Sequence, residues 1–160
     1  MEIDVSPAQI EDKPVLRNML QLYLYDFSEF GGWDLGVHGL YDYPYLDHYW
    51  TEPNRHPFLI RVDGHLAGFA LVSMTPSERG AEIGFSEFFV LRKYRRQGVG
   101  ETVAHTLFAR YPGSWAIEEL ETNVVAQRFW RKVIGRYVDG AYRERHDTER
   151  GRIIQEFTVP

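Results

Sequence analysis

The chain has 160 residues and a formal net charge of -5, from 18 Lys and Arg against 23 Asp and Glu. That length suits one compact domain over residues 1–160, able to bury roughly two thirds of its unfolded surface, and leaves no room for a second full domain. Hydrophobic residues at 44% and aromatics at 15% exclude a disordered chain, and the lack of cysteine excludes a disulfide framework, a thiolate nucleophile and cysteine-held zinc.

MEIDVSP alternates Ile3 and Val5 with polar neighbours and reads as a first strand; Ser6-Pro7 then reads as a helix N-cap followed by proline at the first helical position. From Ile10 to Phe27, the residues Val15, Leu16, Met19, Leu20, Leu22, Tyr23 and Phe27 recur at three- and four-residue steps, which predicts a long helix with one wide buried face. Gly31-Gly32, Gly36 and Gly39 interrupt regular structure, and YDYPYLDHYW offers at most a short helix. Ser28 to Pro57 is therefore expected to be a long, mostly irregular connection, of the kind that is usually functional or mobile.

In HPFLIRVDGHLAGFALVSM two β-rich runs flank Asp63-Gly64, the pair that accepts the positive φ angles of a type I′ turn, which predicts a hairpin. AEIGFSEFFVLRK has the composition of a central strand, and Gly84 within it allows a bulge or a close backbone approach. Gly98 to Tyr111 places Val99, Val103, Leu107 and Tyr111 at four-residue steps and reads as a helix ended by Pro112-Gly113. SWAIEEL reads as a strand, after which Asn123 caps a helix that buries Ala126, Phe129, Trp130 and Val133 and ends near Gly135. YVDGAYRER and RIIQEFTV close the chain as two strands around HDTERG. The order βα(loop)βββαβαββ shows no repeat and no linker, and describes an α/β (α+β) domain with a mixed sheet.

Four of the 18 basic residues, Arg92, Lys93, Arg95 and Arg96, fall within five positions directly before Gln97-Gly98-Val99-Gly100. A strand, a glycine turn and a helix in succession gather unpaired backbone N–H groups and the positive end of a helix dipole at one point, which is how proteins hold phosphate. The same residues also suit an ordinary turn with solvated charges. Without G-x-x-x-x-G-K-[ST] the turn is not a P-loop, and it lacks the third glycine and early position of a dinucleotide fingerprint.

VLRKYRRQGVG resembles the R/Q-x-x-G-x-G/A signature of the GNAT (GCN5-related N-acetyltransferase) family, and NVVAQRFWRKVIGRY resembles that family's second signature, N-x-x-A-x-x-(F/L)-Y-x-K-x-G-F. The two stand in the family's order and span about Phe85 to Tyr137, roughly a third of the chain. The resemblance implies a GNAT-like mixed, mostly antiparallel sheet of about six to seven strands, flanked by helices and splayed at its centre. It implies acetyl-CoA as co-substrate in the opening between the Phe85–Leu91 and Trp115–Leu120 strands, with no metal. Backbone groups of Phe89, Val90 and Leu91 would meet the pantetheine arm in the manner of an added strand. The stretch Arg95, Arg96, Gln97, Gly98, Val99 and Gly100 would hold the pyrophosphate, the amides from Arg96 onward doing most of it. Asn123 would touch the pantetheine arm and Phe129 and Lys132 would line the coenzyme side; Asn123 equally suits a helix cap, and Phe129 and Trp130 suit core packing.

Acetyl transfer to an amine needs the amine neutral, yet with a pKa near ~10.4 a lysine-like amine is at most about one part in a thousand neutral at pH 7. Glu87, on the coenzyme strand, is the first candidate for the base and Glu82 the second; each is otherwise an exposed strand carboxylate. A backbone N–H on the splayed strand, such as that of Val90, is placed to stabilise the developing oxyanion. The sequence departs from the family where relatives carry a tyrosine acid: Trp130 stands there, and indole N–H is no useful acid, which leaves Tyr137, Tyr142 or water.

Between Asn18 and Asn54 there is no Lys or Arg, while Asp26, Glu29, Asp34, Asp42, Asp47 and Glu52 share the stretch with many aromatics. That bias suits a small, cationic primary amine as acceptor, with Asp42 and Asp47 among its contacts; it also suits an acidic surface over an aromatic layer, or a homodimer interface. A peptide or protein N-acetyltransferase and a module that binds acetyl-CoA without turnover are the alternatives. A sequence pI of 5.7 opposes a nucleic-acid partner, and His38, His48, His56 and His65 have no ligand spacing for a metal. No basic leader and no window near ~20 apolar residues occurs, so the expected compartment is the cytoplasm, with no membrane partner.

Overall fold

The chain opens in a strand, β1 (Ile3–Pro7), which continues through the Ser6-Pro7 pair expected to start a helix. The computed structural model describes residues 1–78 and 80–160. Ser6 and Pro7 stand opposite Leu59 and Phe58, and β1 is an outer strand, where proline's missing N–H is tolerated. The helix start comes later. A 3-10 turn at Ile10–Asp12, where Asp12 Oδ2 accepts the Gln9 N–H at 2.9 Å, leads into α1 (Lys13–Gly31) with Pro14 in its first turn.

α1 buries Leu16, Met19, Leu20 and Leu24, whereas Leu22, expected on that face, is 54% exposed. Two residues from Leu20 is about 200° around a helix, so the stripe that holds Leu20 excludes Leu22. α1 also runs past Phe27, so Ser28 to Gly31 are helical and not irregular. Gly32 ends the helix at a φ of 70°, its N–H bonded to Ser28 O. One short helix, α2 (His48–Thr51), follows, and then the hairpin β2 (Arg55–Val62) and β3 (His65–Ser77). Its turn has φ of 49° at Asp63 and 79° at Gly64, the positive pair expected.

The rest of the chain is β4 (Gly80–Val90), α3 (Val99–Arg110), β5 (Gly113–Leu120), α4 (Val124–Tyr137), β6 (Tyr142–Asp147) and β7 (Arg152–Val159). α4 takes in Tyr137, which was expected to open the sixth strand; that strand starts at Tyr142. Among the described residues the seven strands form one sheet in the order β1-β2-β3-β4-β5-β7-β6. Neighbours are antiparallel except β4 and β5, which are parallel and in register at two positions, Glu82 with Ser114 and Ile83 with Trp115. Beyond them the two strands part. α3 and α4 cover one face, packing Val103, Leu107, Phe108, Trp130 and Val133 on Trp115 and Ile117; α1 and α2 cover the other, packing Leu16, Leu20 and Tyr49 on Leu59, Phe69 and Leu71.

Candidate active site

The site begins with a one-residue irregularity. On β4, Phe85 stands opposite Val72 and Glu87 opposite Leu71, so Ser86 is an extra residue with no register partner of its own on β3. Side chains alternate along a regular strand, and an inserted residue reverses the alternation. Phe85 therefore joins Phe88 and Val90 on the α3/α4 face, its ring stacked 5.4 Å from that of Trp130, while Glu87 and Phe89 turn to α1.

On that face Glu87 meets the hydroxyls of Tyr23 and Tyr43. Burial pushes its carboxyl up to about 7, and the two tyrosine hydrogen bonds, which favour the charged form, oppose that shift. Burial and the neighbouring carboxylate in turn hold Tyr23 well above the ordinary tyrosine range. Tyr23 is fixed by edge contacts to Phe69 and Phe89, with ring centroids 5.7 and 5.5 Å away. Tyr43 belongs to the segment after α1, which is clasped to that helix: Gln21 Nε2 donates to Tyr41 O at 2.9 Å and the Tyr41 N–H donates to Gln21 Oε1 at 2.8 Å.

Beside Glu87 lies a cavity of about 490 Å³, within the usual range for small-molecule sites. Tyr23, Phe27 and Trp33 supply its aromatic wall, and Phe27 and Trp33 stack at 5.5 Å. Glu82 also lines it, exposed on β4 where β4 and β5 still pair. Glu118, Arg150 and Arg152 come from β5 and from the β6–β7 turn and β7.

The open edge of β4 is reached through Val90. The Leu91 N–H donates to Ala67 O at 2.8 Å, and the carbonyl of Phe89 lies against Gly68, so both residues direct backbone groups to β3. Alternation turns Val90 the other way, toward the gap left by β5. Of the three residues whose backbone was expected to meet a pantetheine arm, Val90 is the one with its N–H on that edge. Its carbonyl accepts Arg95 Nε at 2.8 Å. Arg95 also reaches Asp26 Oδ2 at 2.7 Å, and Arg92 binds the other oxygen. Burial opposes it, but the two guanidiniums hold the Asp26 carboxyl below its usual range. Arg95 thus braces the turn against α1.

Arg96 is exposed with a φ of 60°, Gln97 folds back onto Lys93 O at 2.8 Å, and Gly98 starts α3 at a φ of 82°. Thr102 N–H is bonded to Gly98 O, so the amides of Val99, Gly100 and Glu101 are the helix's first turn, the region open to an anion. Val99 is buried beneath them, and a Cβ on Gly100 would stand 3.0 Å from the Phe129 ring. Phe129 packs on Phe88 and Trp130, and Lys132 lies 3.8 Å from Glu101 at the same helix start. Asn123 caps α4, its Oδ1 accepting the Ala126 N–H at 3.0 Å, and is itself 5% exposed. Trp130 is a core residue at 6% exposure. Neither tyrosine considered as its substitute reaches the cavity: Tyr137 packs on His105 and Phe108, and Tyr142 lies against Gly135.

The acidic stretch is spread over the surface. Asp47 pairs with Lys13, Glu52 with Arg55 at 2.7 Å, and Asp26 with two arginines; Asp42 is exposed, and none of the six lines the cavity beside Glu87. His56 is a partly buried strand residue stacked on Tyr111. No group of three or more His, Asp or Glu side chains placed to hold a metal occurs among the described residues, and no helix there is long and apolar enough to cross a membrane. Tyr23, Tyr43, Arg150 and Arg152 were not singled out by the sequence. Tyr23 carried a signal, its place on the buried stripe of α1; the arginines carried none short of the strand register.

The model of the acetyltransferase (GNAT) family matches residues 17–135. A search of curated proteins finds no significant match. Among solved structures, an acetyltransferase from Thermus thermophilus is similar over 99% of this chain and 98% of its own, at a TM-score of 0.73 and 16% identity. Arabidopsis thaliana NAA60, solved in complex with a bisubstrate analogue, is similar over 99% and 98%, with a TM-score of 0.66 and 12% identity. The aminoglycoside acetyltransferase meta-AAC0020, from an uncultured soil metagenomic sample and solved with sisomicin, is similar over 82% and 86%, at 0.63 and 13%. Identities this low speak for the fold, while the family match spans most of the chain and takes in the first signature stretch and all but the last two residues of the second; the chain belongs to the GNAT family of acetyltransferases, which use acetyl-CoA.

Proposed function

We propose that the chain transfers an acetyl group from acetyl-CoA directly to the primary amine of a small molecule, with both bound at once and Glu87 as the base. The observation that carries this is the placement of Glu87: a carboxyl raised to about 7, lining a small-molecule cavity and three residues along β4 from Val90, whose backbone alternation turns toward the open edge. A base titrating near the working pH balances proton affinity against the fraction ionised. The coenzyme supplies the electrophilic thioester carbonyl, and this chain offers what such a molecule needs. The gap between β4 and β5 admits an extended arm beside Val90, and the first turn of α3 presents amides to a diphosphate. Glu87 takes the proton of the incoming ammonium, and the Val90 N–H faces the oxygen where charge develops. The amine nitrogen bonds to the carbonyl carbon, the C–S bond breaks, and the coenzyme's sulfur leaves as a thiolate that takes up the second proton of the attacking nitrogen directly or through water. Thiolates are stable enough to leave without a strong acid, which accommodates Trp130 in place of a tyrosine. The expected cationic acceptor keeps its charge at the reacting amine; the acidic stretch that suggested further positive charge lies away from the cavity.

Acetyl-CoA incubated with purified protein and a panel of polyamines, amino acids, aminoglycosides and peptide N-termini, with released thiol as the readout, tests the proposal. Amine-dependent thiol release that E87Q abolishes supports it. Coenzyme binding without release for any amine leaves the binding-module reading in its place.

A further inference from the structure

The cavity beside Glu87 carries charge of both signs. On its wall, Arg150 binds Glu118 through two contacts of 2.7 and 3.2 Å, so those charges cancel locally. Arg152 is different. In the strand register it stands opposite Leu120 and Asp147, but Asp147 is engaged by Arg150, accepting its backbone N–H at 3.1 Å and its side chain at 3.6 Å. Arg152 has no ion-pair partner among the described residues. Its platform is fixed: the Glu121 N–H donates to Gly151 O at 3.0 Å, and His146 Nε2 lies 2.7 Å from Glu121 Oε2, so the β6–β7 turn is tied to the end of β5.

Three groups without an ion-pair partner among the described residues therefore line one cavity, the carboxyls of Glu82 and Glu87 and the guanidinium of Arg152, which is its one unpaired cation. A purely cationic acceptor would satisfy the carboxyls and leave the arginine without a counter-charge. An unpaired guanidinium on a rigid strand is instead shaped for a carboxylate, which it can bind through two parallel hydrogen bonds. We infer that the acceptor is a dipolar amine, an amino acid or close analogue: its amine meets Glu87, its carboxylate pairs with Arg152, and its side chain lies on the stacked rings of Phe27 and Trp33. This rests on the acetyl-transfer reading above and assigns the substrate class at that same site.

The test measures acetyl transfer to a set of L-amino acids, each beside its carboxamide and its decarboxylated amine, in wild type, R152Q and R152K. Acetyl-CoA binding is followed by calorimetry on the same preparations. The expected result is a kcat/KM for the acid above that of its carboxamide by roughly tenfold or more, a ratio that collapses toward one in R152Q and is partly kept in R152K. Carboxamides or plain amines that match or surpass the acids overturn the inference. So does an acid-to-carboxamide ratio untouched by R152Q, or a protein that binds coenzyme and turns over no amino acid. If wild type binds no coenzyme, the acetyl-transfer reading itself fails, a different outcome that removes the inference with it.

Discussion

Phe85 and Glu87 lie two residues apart on β4 yet face opposite sides of the sheet, because Ser86 interrupts the pairing with β3 between Leu71 and Val72. Without that extra residue Glu87 would share the face of Ile83 and Phe85, under α3 and α4, among hydrophobic side chains. The bulge carries it to the α1 face, between two tyrosines. Bulges recur beside active sites for this reason: they re-aim a side chain at the cost of one unpaired residue.

Glu87 carries the first prediction. With its carboxyl at about 7, the base is mostly protonated below that pH and ionised above it, so kcat/KM should rise through about pH 7 and level off. E87Q should lower kcat by roughly 10²–10⁴-fold and erase that limb, with acetyl-CoA affinity changed less than about twofold. Steady-state rates from pH 5.5 to 9 on both proteins check this.

Tyr43 carries the second. Its hydrogen bond favours ionised Glu87 and so lowers that pKa. Y43F removes a lowering influence, and the rising limb should move to higher pH with the plateau largely kept. A limb that moves down, or stays in place, would contradict the assigned contact.

A third concerns two glycines of different kinds. Gly98 sits at a φ of 82° with open space around it, so G98A meets only backbone strain, about 1–2 kcal/mol, and should lower Tm by about 2–8 °C in a folded protein. A Cβ on Gly68 would stand 1.9 Å from Phe89 O, a backbone atom of the neighbouring strand. G68A should therefore separate β3 from β4 and fail to give a cooperative unfolding transition in the same thermal scan.

Glu119, 4% exposed on β5, supplies a fourth, on stability. Burial pushes its carboxyl up to about 8 from an ordinary value of 4.5. Between those values the folded chain keeps a proton that the unfolded chain has released, so this residue makes stability fall as pH rises from 4.5 to about 8 and adds no further slope above. E119Q, which cannot ionise, should flatten that decline and gain most over wild type at pH 8 and above. Urea unfolding at pH 5, 7 and 8.5 measures the difference.

How much of this was legible in the sequence follows from the range of the forces involved. The Asp63-Gly64 turn, the start of α3 and the Asn123 cap depend on residues within four positions of one another, and each stands where local chemistry placed it. Ser6-Pro7 misled because a proline fits an outer strand as well as a helix start, and the choice lies with Leu59 and Phe58 across the sheet. Glu87 could be named from its strand, but not its neighbours. The bulge that turns it depends on register with β3, and Tyr43 reaches it from a segment whose course is set by Gln21. The acidic stretch suited a pocket as well as a surface because its partners, Lys13, Arg55, Arg92 and Arg95, lie outside it in the chain. Arg152 came into view only once β7 lay beside β5.

Calorimetric titration of acetyl-CoA into wild type and E87Q most directly tests whether this chain grips the coenzyme between β4 and β5 and leaves the chemistry to Glu87. Saturable one-to-one binding of equal affinity in both proteins, with turnover in the wild type alone, is the expected result. No heat from the wild type, or undiminished acetyl transfer by E87Q, would contradict it.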